Sequence, residues 1–167
     1  MGHEHSKRVE ELLFTVGAQL FEAYDLRPSS SPGTRETLDI KVAAIIGFAG
    51  DKLRGSVMLA MSDRALQHTK QTPGESVEDW VGELTNQLAG RLKNRLLGYG
   101  LDVAIATPLV IRGNRISPCV DGETGPLTWA FDKGDAYAWI DCDFKQGVEF
   151  VETGAVEVAS EGEALMF

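Results

Sequence analysis

EDWVGELTNQLAGRLKNRL, residues 78–96, has the apolar spacing of one amphipathic helix. At 100° per residue, Val77, Trp80, Val81, Leu84, Leu88 and Leu92 fall within an arc of about 120°, the width of a core-facing stripe. Glu75, Glu78, Asp79 and Glu83 cluster at its start and Arg91, Lys93 and Arg95 at its end, as the helix dipole prefers. The spacing predicts a helix from about Ser76 that packs on a sheet. Asp79, Glu83, Asn86 and Gly90 share the opposite side within an arc of about 60°, and Gly82 borders that face. Each glycine costs roughly 0.5–1 kcal/mol relative to alanine in a helix interior, and Asn86 a few tenths more. One reading is that Gly82 and Gly90 remove bulk so that another surface comes close to a carboxylate and a carboxamide. The other is a solvated face, because exposed helix surfaces normally contain Glu and Asn.

Upstream, Val9, Leu12, Leu13, Val16, Leu20 and Tyr24 recur at three- and four-residue steps, predicting a first helix from Ser6 to about Asp25 with Ser6 at its start. RPSSSPGT (27–34) ends it in a loop. ETLDIKVAAIIGFAG (36–50) and KLRGSVMLAM (52–61) read as a hairpin turning at Gly50 and Asp51. SDRALQHTK (62–70) makes a short helix capped by Ser62 or Asp63. Beyond Gly100, LDVAIATPLVIRG, LTWAFD and AYAWIDCDF have strand chemistry, the last two joined through KGD. The final stretch, VETGAVEVASEGEALMF, reads either as an added edge strand or as a tail. The sum is an α+β domain, helices packed on one antiparallel sheet.

The chain has 167 residues, and 43% hydrophobic content suits one domain with its own core. Sixteen Lys plus Arg against 25 Asp plus Glu give a net charge of -9 with no basic run, so nucleic-acid binding is not expected. Cys119 and Cys142 are too few for a disulfide framework and lack metal spacing. MGHEHSKR has no apolar stretch and no run of about twenty apolar residues follows, so no membrane association and a cytoplasmic location are expected. His3 and His5 are read as a frayed terminus.

The string Asp79-x-x-x-Glu83-x-x-Asn86, continuing to Gly90, with Pro108 22 positions beyond the asparagine, resembles the signature of the CheC/CheX/FliY family of chemotaxis phosphatases, most of all the CheX type. GELTNQLAGRLKNRLLGYGLDVAIATPLVIRG (82–113) resembles the CheX helix and following strand, and FAGDKLRGSVMLAMS (48–62) the preceding hairpin. The likeness covers about residues 6–145 and is specific over about 44–113. One Glu-x-x-Asn helix implies one site per chain. The excursion from Arg112 to Pro126 and the acidic end after Phe150 have no counterpart in the resemblance. It implies a CheX-like phosphatase domain over residues 6–152, with terminal segments 1–5 and 153–167.

What the resemblance further implies is accelerated loss of phosphate from the phospho-aspartate of a CheY-like response regulator. That receiver supplies a magnesium ion and a lysine, so the chain needs no cofactor of its own. Phosphoryl transfer is mainly positioning plus charge stabilisation, and a carboxamide orients water without titrating. Asn86 is therefore assigned to position the attacking water and Glu83 to dock on the receiver's lysine. Asp79 charges the first turn beside that docking surface, and Gly82 and Gly90 give clearance. CheX-like proteins also imply a homodimer built through the sheet, with exposed edges near AYAWIDCDF or the C-terminal segment as candidates. Trp129 and Trp139 read as interface anchors or as core aromatics.

Two rival readings remain at this level. One is a non-catalytic CheX-like module that binds a receiver or the flagellar switch. The other is a small-molecule enzyme using Asp102, Thr107 or a histidine. His68, on the short polar helix, reads as a plain surface residue, and no nucleophile-elbow or phosphate-loop pattern is present.

Overall fold

A computed structural model of the chain describes residues 2–28, 38–70, 72–119 and 125–153. Its elements are α1 (Gly2–Glu22), β1 (Val42–Ala49), β2 (Leu53–Met61), α2 (Asp63–Thr69), α3 (Val77–Leu97), β3 (Ala104–Ile105), β4 (Leu109–Arg112), β5 (Leu127–Phe131) and β6 (Gly134–Phe144). All strand pairings are antiparallel. The sheet runs β3-β1-β2-β6-β5, and β4 shares the edge position beside β1 with β3. Among the described residues, three helices on a six-stranded antiparallel sheet make the α+β architecture that the periodicities predict.

Alternation along the strands divides the apolar residues between two faces. Ala44, Ile46 and Phe48 of β1, with Val57 and Leu59 of β2, face the helices and form one core with Leu84, Leu88 and Leu92 of α3 and Leu13, Val16 and Leu20 of α1. On the far face Ile40, Ala43, Met58, Ala60 and Trp139 form a second cluster. Ile116 packs against that cluster, and its backbone N–H donates to Ile40 O at 3.0 Å, so part of the 112–126 excursion folds back over the sheet. Trp129 and Trp139 are both core residues, Trp129 at 4% exposure on the helix side and Trp139 at 8% on the far side.

The edge beside β1 departs from the single strand expected over 101–113. Phe48 pairs with Ile105, whereas Ile45 pairs with Leu109, so three steps on β1 face four on its partner. The additional residue makes a β-bulge, and Pro108, which has no N–H to give the ladder, lies within it. An odd offset reverses the alternation. Ile105 and Val110, five residues apart, both turn toward the helix-side core.

Three further expectations need correction. The first helix starts at Gly2, so Ser6 lies inside it and is not its cap. His5 is not frayed: its ring packs 5.2 Å from Phe144 and 6.0 Å from Phe150. AYAWIDCDF is not a free edge throughout, because β2 pairs with Ala136–Phe144 on one side and β5 covers Gly134–Ala138 on the other. From Trp139 to Phe144, β6 is paired by β2 alone among the described residues.

After β6 the chain crosses back without forming a strand as far as residue 153. Phe150 is buried, Arg8 Nη1 donates to its carbonyl at 2.7 Å, and the Thr153 N–H donates to Gly98 O at 3.0 Å. Most of the RPSSSPGT loop and residues 154–167 lie outside the described residues.

Candidate functional site

The site helix is fixed at its N-terminal end and from beneath. Ser76, extended at φ -71 and ψ 153, caps α3 by accepting from the Asp79 N–H at 3.1 Å. Glu78 and Asp79 add negative charge to the first turn, where the dipole favours it, and Glu78 pairs with Arg112 at the end of β4. Trp80, Val81, Leu84, Leu88, Leu92 and Leu96 are buried against the sheet and α1. Thr85, also buried, is satisfied within the helix by donating to Val81 O at 2.7 Å.

Asp79, Glu83 and Asn86 are all exposed on the outer side, as the wheel predicts. No hydrogen bond engages the Asn86 carboxamide among the described residues. Gly90, one turn further, is half-buried, and a Cβ there would meet nothing within 4 Å. Gly82 is placed differently from the expectation. It is buried, and a Cβ at this position would lie 3.2 Å from Val110 Cγ2, so its clearance is toward β4 inside the molecule and not toward a visitor.

Two side chains that the spacing does not assign to the site lead to Glu83 in series. Gln87 Nε2 donates to Glu83 Oε1 at 2.9 Å, and Tyr24 OH donates to Gln87 Oε1 at 3.0 Å. The i, i+4 spacing of Glu83 and Gln87 was open to inspection. Tyr24, read as part of an apolar stripe, lies 63 positions from Gln87, and no local pattern joins them.

The residues of the rival small-molecule reading lie on the surface. Asp102, Thr107 and His68 are exposed, and the described residues hold no group of three His, Cys, Asp or Glu able to bind a metal. An open cleft of about 740 Å³ lies by Gly47, Ser56, Ala106 and Asp141, on the sheet face away from α3, and contains none of the predicted site residues. No helix among the described residues is long and apolar enough to cross a membrane.

Comparison with solved structures places this architecture. The chain is similar to the chemotaxis protein CheX from Vibrio vulnificus, at 24% identity and TM-score 0.60, over 78% of this chain and 97% of that one. It is also similar to a CheC-like superfamily protein from Shewanella sp. PV-4, at 21% identity and TM-score 0.64, over 81% and 97%. A CheX-CheY-BeF3-Mg2+ complex from Borrelia burgdorferi matches at 16% identity and TM-score 0.55, over 79% and 96%. At these identities the likeness establishes a shared fold, that of CheC- and CheX-like chemotaxis proteins. No significant match was found among curated proteins. The model of the family described as chemotaxis phosphatase CheX matches residues 42–131, more than half of the sequence, and the chain belongs to that family.

Proposed function

We propose that this chain is an aspartyl-phosphate phosphatase for a CheY-like response regulator, with Asn86 positioning the attacking water and Glu83 docking on the receiver's lysine. The observation that carries this reading is the joint exposure of Glu83 and Asn86, one turn apart on a helix anchored at its cap and along its buried side. An exposed helix face cannot enclose a small substrate. It can enter the site of another protein and contribute what that site lacks. The family membership and the CheX-CheY relative from Borrelia burgdorferi support the choice of partner.

In the proposed reaction, a water oxygen attacks the phosphorus of the receiver's acyl phosphate in line with the departing aspartate oxygen. The P–O bond to that aspartate breaks, and inorganic phosphate and the free carboxylate are released, the water's protons ending on phosphate and solvent. The receiver's magnesium ion and lysine balance the developing charge, so this chain supplies alignment. The Asn86 carboxamide donates and accepts without titrating, which suits a water-orienting group. Glu83 as a general base ranks second, because attack on a reactive acyl phosphate needs little deprotonation. Asp79 borders the docking surface, and Gly90 leaves room beside Asn86. The phosphatase unit is assigned to residues 6–152.

The test is turnover of a CheY-type receiver loaded with acetyl phosphate, using catalytic amounts of this chain. Asn86→Ala should lower kcat about 10- to 100-fold with the receiver KM nearly unchanged, the scale of a misplaced reactant. Glu83→Ala should lower kcat and raise KM. Full activity in Asn86→Ala would refute the assignment, and stoichiometric capture of phosphorylated receiver without turnover would favour the non-catalytic module.

A further inference from the structure

We infer that Tyr24 and Gln87 are positioning residues that hold the Glu83 carboxylate ready for the partner's lysine. The inference rests on the docking role assigned to Glu83 above.

An exposed glutamate samples many rotamers, and a partner that binds one of them must freeze the others out. Glu83 is restrained in advance. The Tyr24 hydroxyl donates to Gln87 Oε1 at 3.0 Å, which orients the amide and turns Nε2 toward Glu83 Oε1 at 2.9 Å. Tyr24 is itself fixed, its ring standing edge-on to Trp80 at 5.4 Å and 84°. The Trp80 indole N–H donates to the buried Thr69 Oγ1 at 2.9 Å, and that hydroxyl is held by Ala65 O and Leu66 O of α2. A continuous relay thus runs from α2 through Trp80 and the turn after α1 to Gln87 and the site carboxylate. It engages one carboxylate oxygen, Oε1, and the geometry assigns Oε2 to the incoming ammonium group. Buried contacts set the direction of an exposed side chain.

Tyr24→Phe deletes the hydroxyl and keeps the ring on Trp80, and Gln87→Leu deletes the amide and keeps the bulk. With an acetyl-phosphate-loaded CheY-type receiver, each should raise KM about threefold to tenfold, the scale of one hydrogen bond, with kcat changed less than about twofold. Neither should have any further effect on KM in a Glu83→Ala background, because the residue being positioned is gone. A general structural role predicts the opposite: a lowered melting temperature and the same loss in both backgrounds. That result, or an unchanged KM in both single variants, would overturn the inference. Asn86→Ala and Glu83→Ala are run alongside. If both keep full activity the phosphatase reading fails and takes this one with it. If both lose activity while Tyr24→Phe and Gln87→Leu match the parent chain, the positioning role alone fails.

Discussion

Cys142 shows how much a side chain's behaviour depends on which face of a strand it occupies. It points from β6 into the helix-side core, and burial, aided by the carboxylates of Asp141 and Glu10, pushes its thiol from 9.0 up to about 12. Cys119 is exposed. Reactivity belongs to the thiolate, so at pH 8 iodoacetamide should label Cys119 and leave Cys142 unmodified until the chain unfolds. Mass spectrometry of the native protein should find one label per chain, and two would show that Cys142 is reachable. Because the folded state holds the Cys142 proton more tightly than the unfolded state, this contribution to stability is complete below about pH 9. It is lost as pH rises toward 12. Cys142→Ala should therefore flatten part of the alkaline fall in the unfolding free energy.

At the scale of the element, α3 separates its two glycines by what surrounds them. Gly90→Ala places a methyl group in open space, so the helix should gain about 0.5–1 kcal/mol of stability. If the space beside Asn86 admits the receiver, the same variant should raise the receiver KM. Gly82→Ala puts its methyl 3.2 Å from the stiff, branched Val110, and the propensity gain should be cancelled or reversed. Chemical denaturation of the two variants side by side measures this difference, and an equal gain in both would contradict the packing. The helix itself was legible because its caps, charges and period agree, and so were Glu83 and Asn86 on its outer side. The bulge was not, since it depends on where β1 sits opposite Pro108 and not on the composition of LDVAIATPLVIRG. The placement of Gly82 followed from that bulge, which turns Val110 beneath α3, and a helical wheel carries no record of the neighbouring strand. Tyr24 escaped for a similar reason, its partner being distant in sequence.

For the whole molecule, the stretch of β6 from Trp139 to Phe144 left uncovered by β5 is the natural place for the homodimer implied by the family resemblance. A protein assembled through it should sediment at twice the 18.1 kDa chain mass. Amides of residues 139–144 that do not bond to β2 should gain protection from hydrogen exchange as concentration rises. A chain that stays at single mass with those amides unprotected would rule this edge out.

That half-covered strand has a geometric corollary. Antiparallel joining of two identical strands is generated by a rotation axis perpendicular to the sheet, which leaves each face on its own side. Both copies would then carry their helices above one continuous sheet. α1 contacts β5 and β6, whereas α3 lies mainly over β1, so the two Asn86 faces would stand at the outer flanks, remote from the axis. Such an arrangement accommodates two visitors at once, and each copy would turn over independently of its twin.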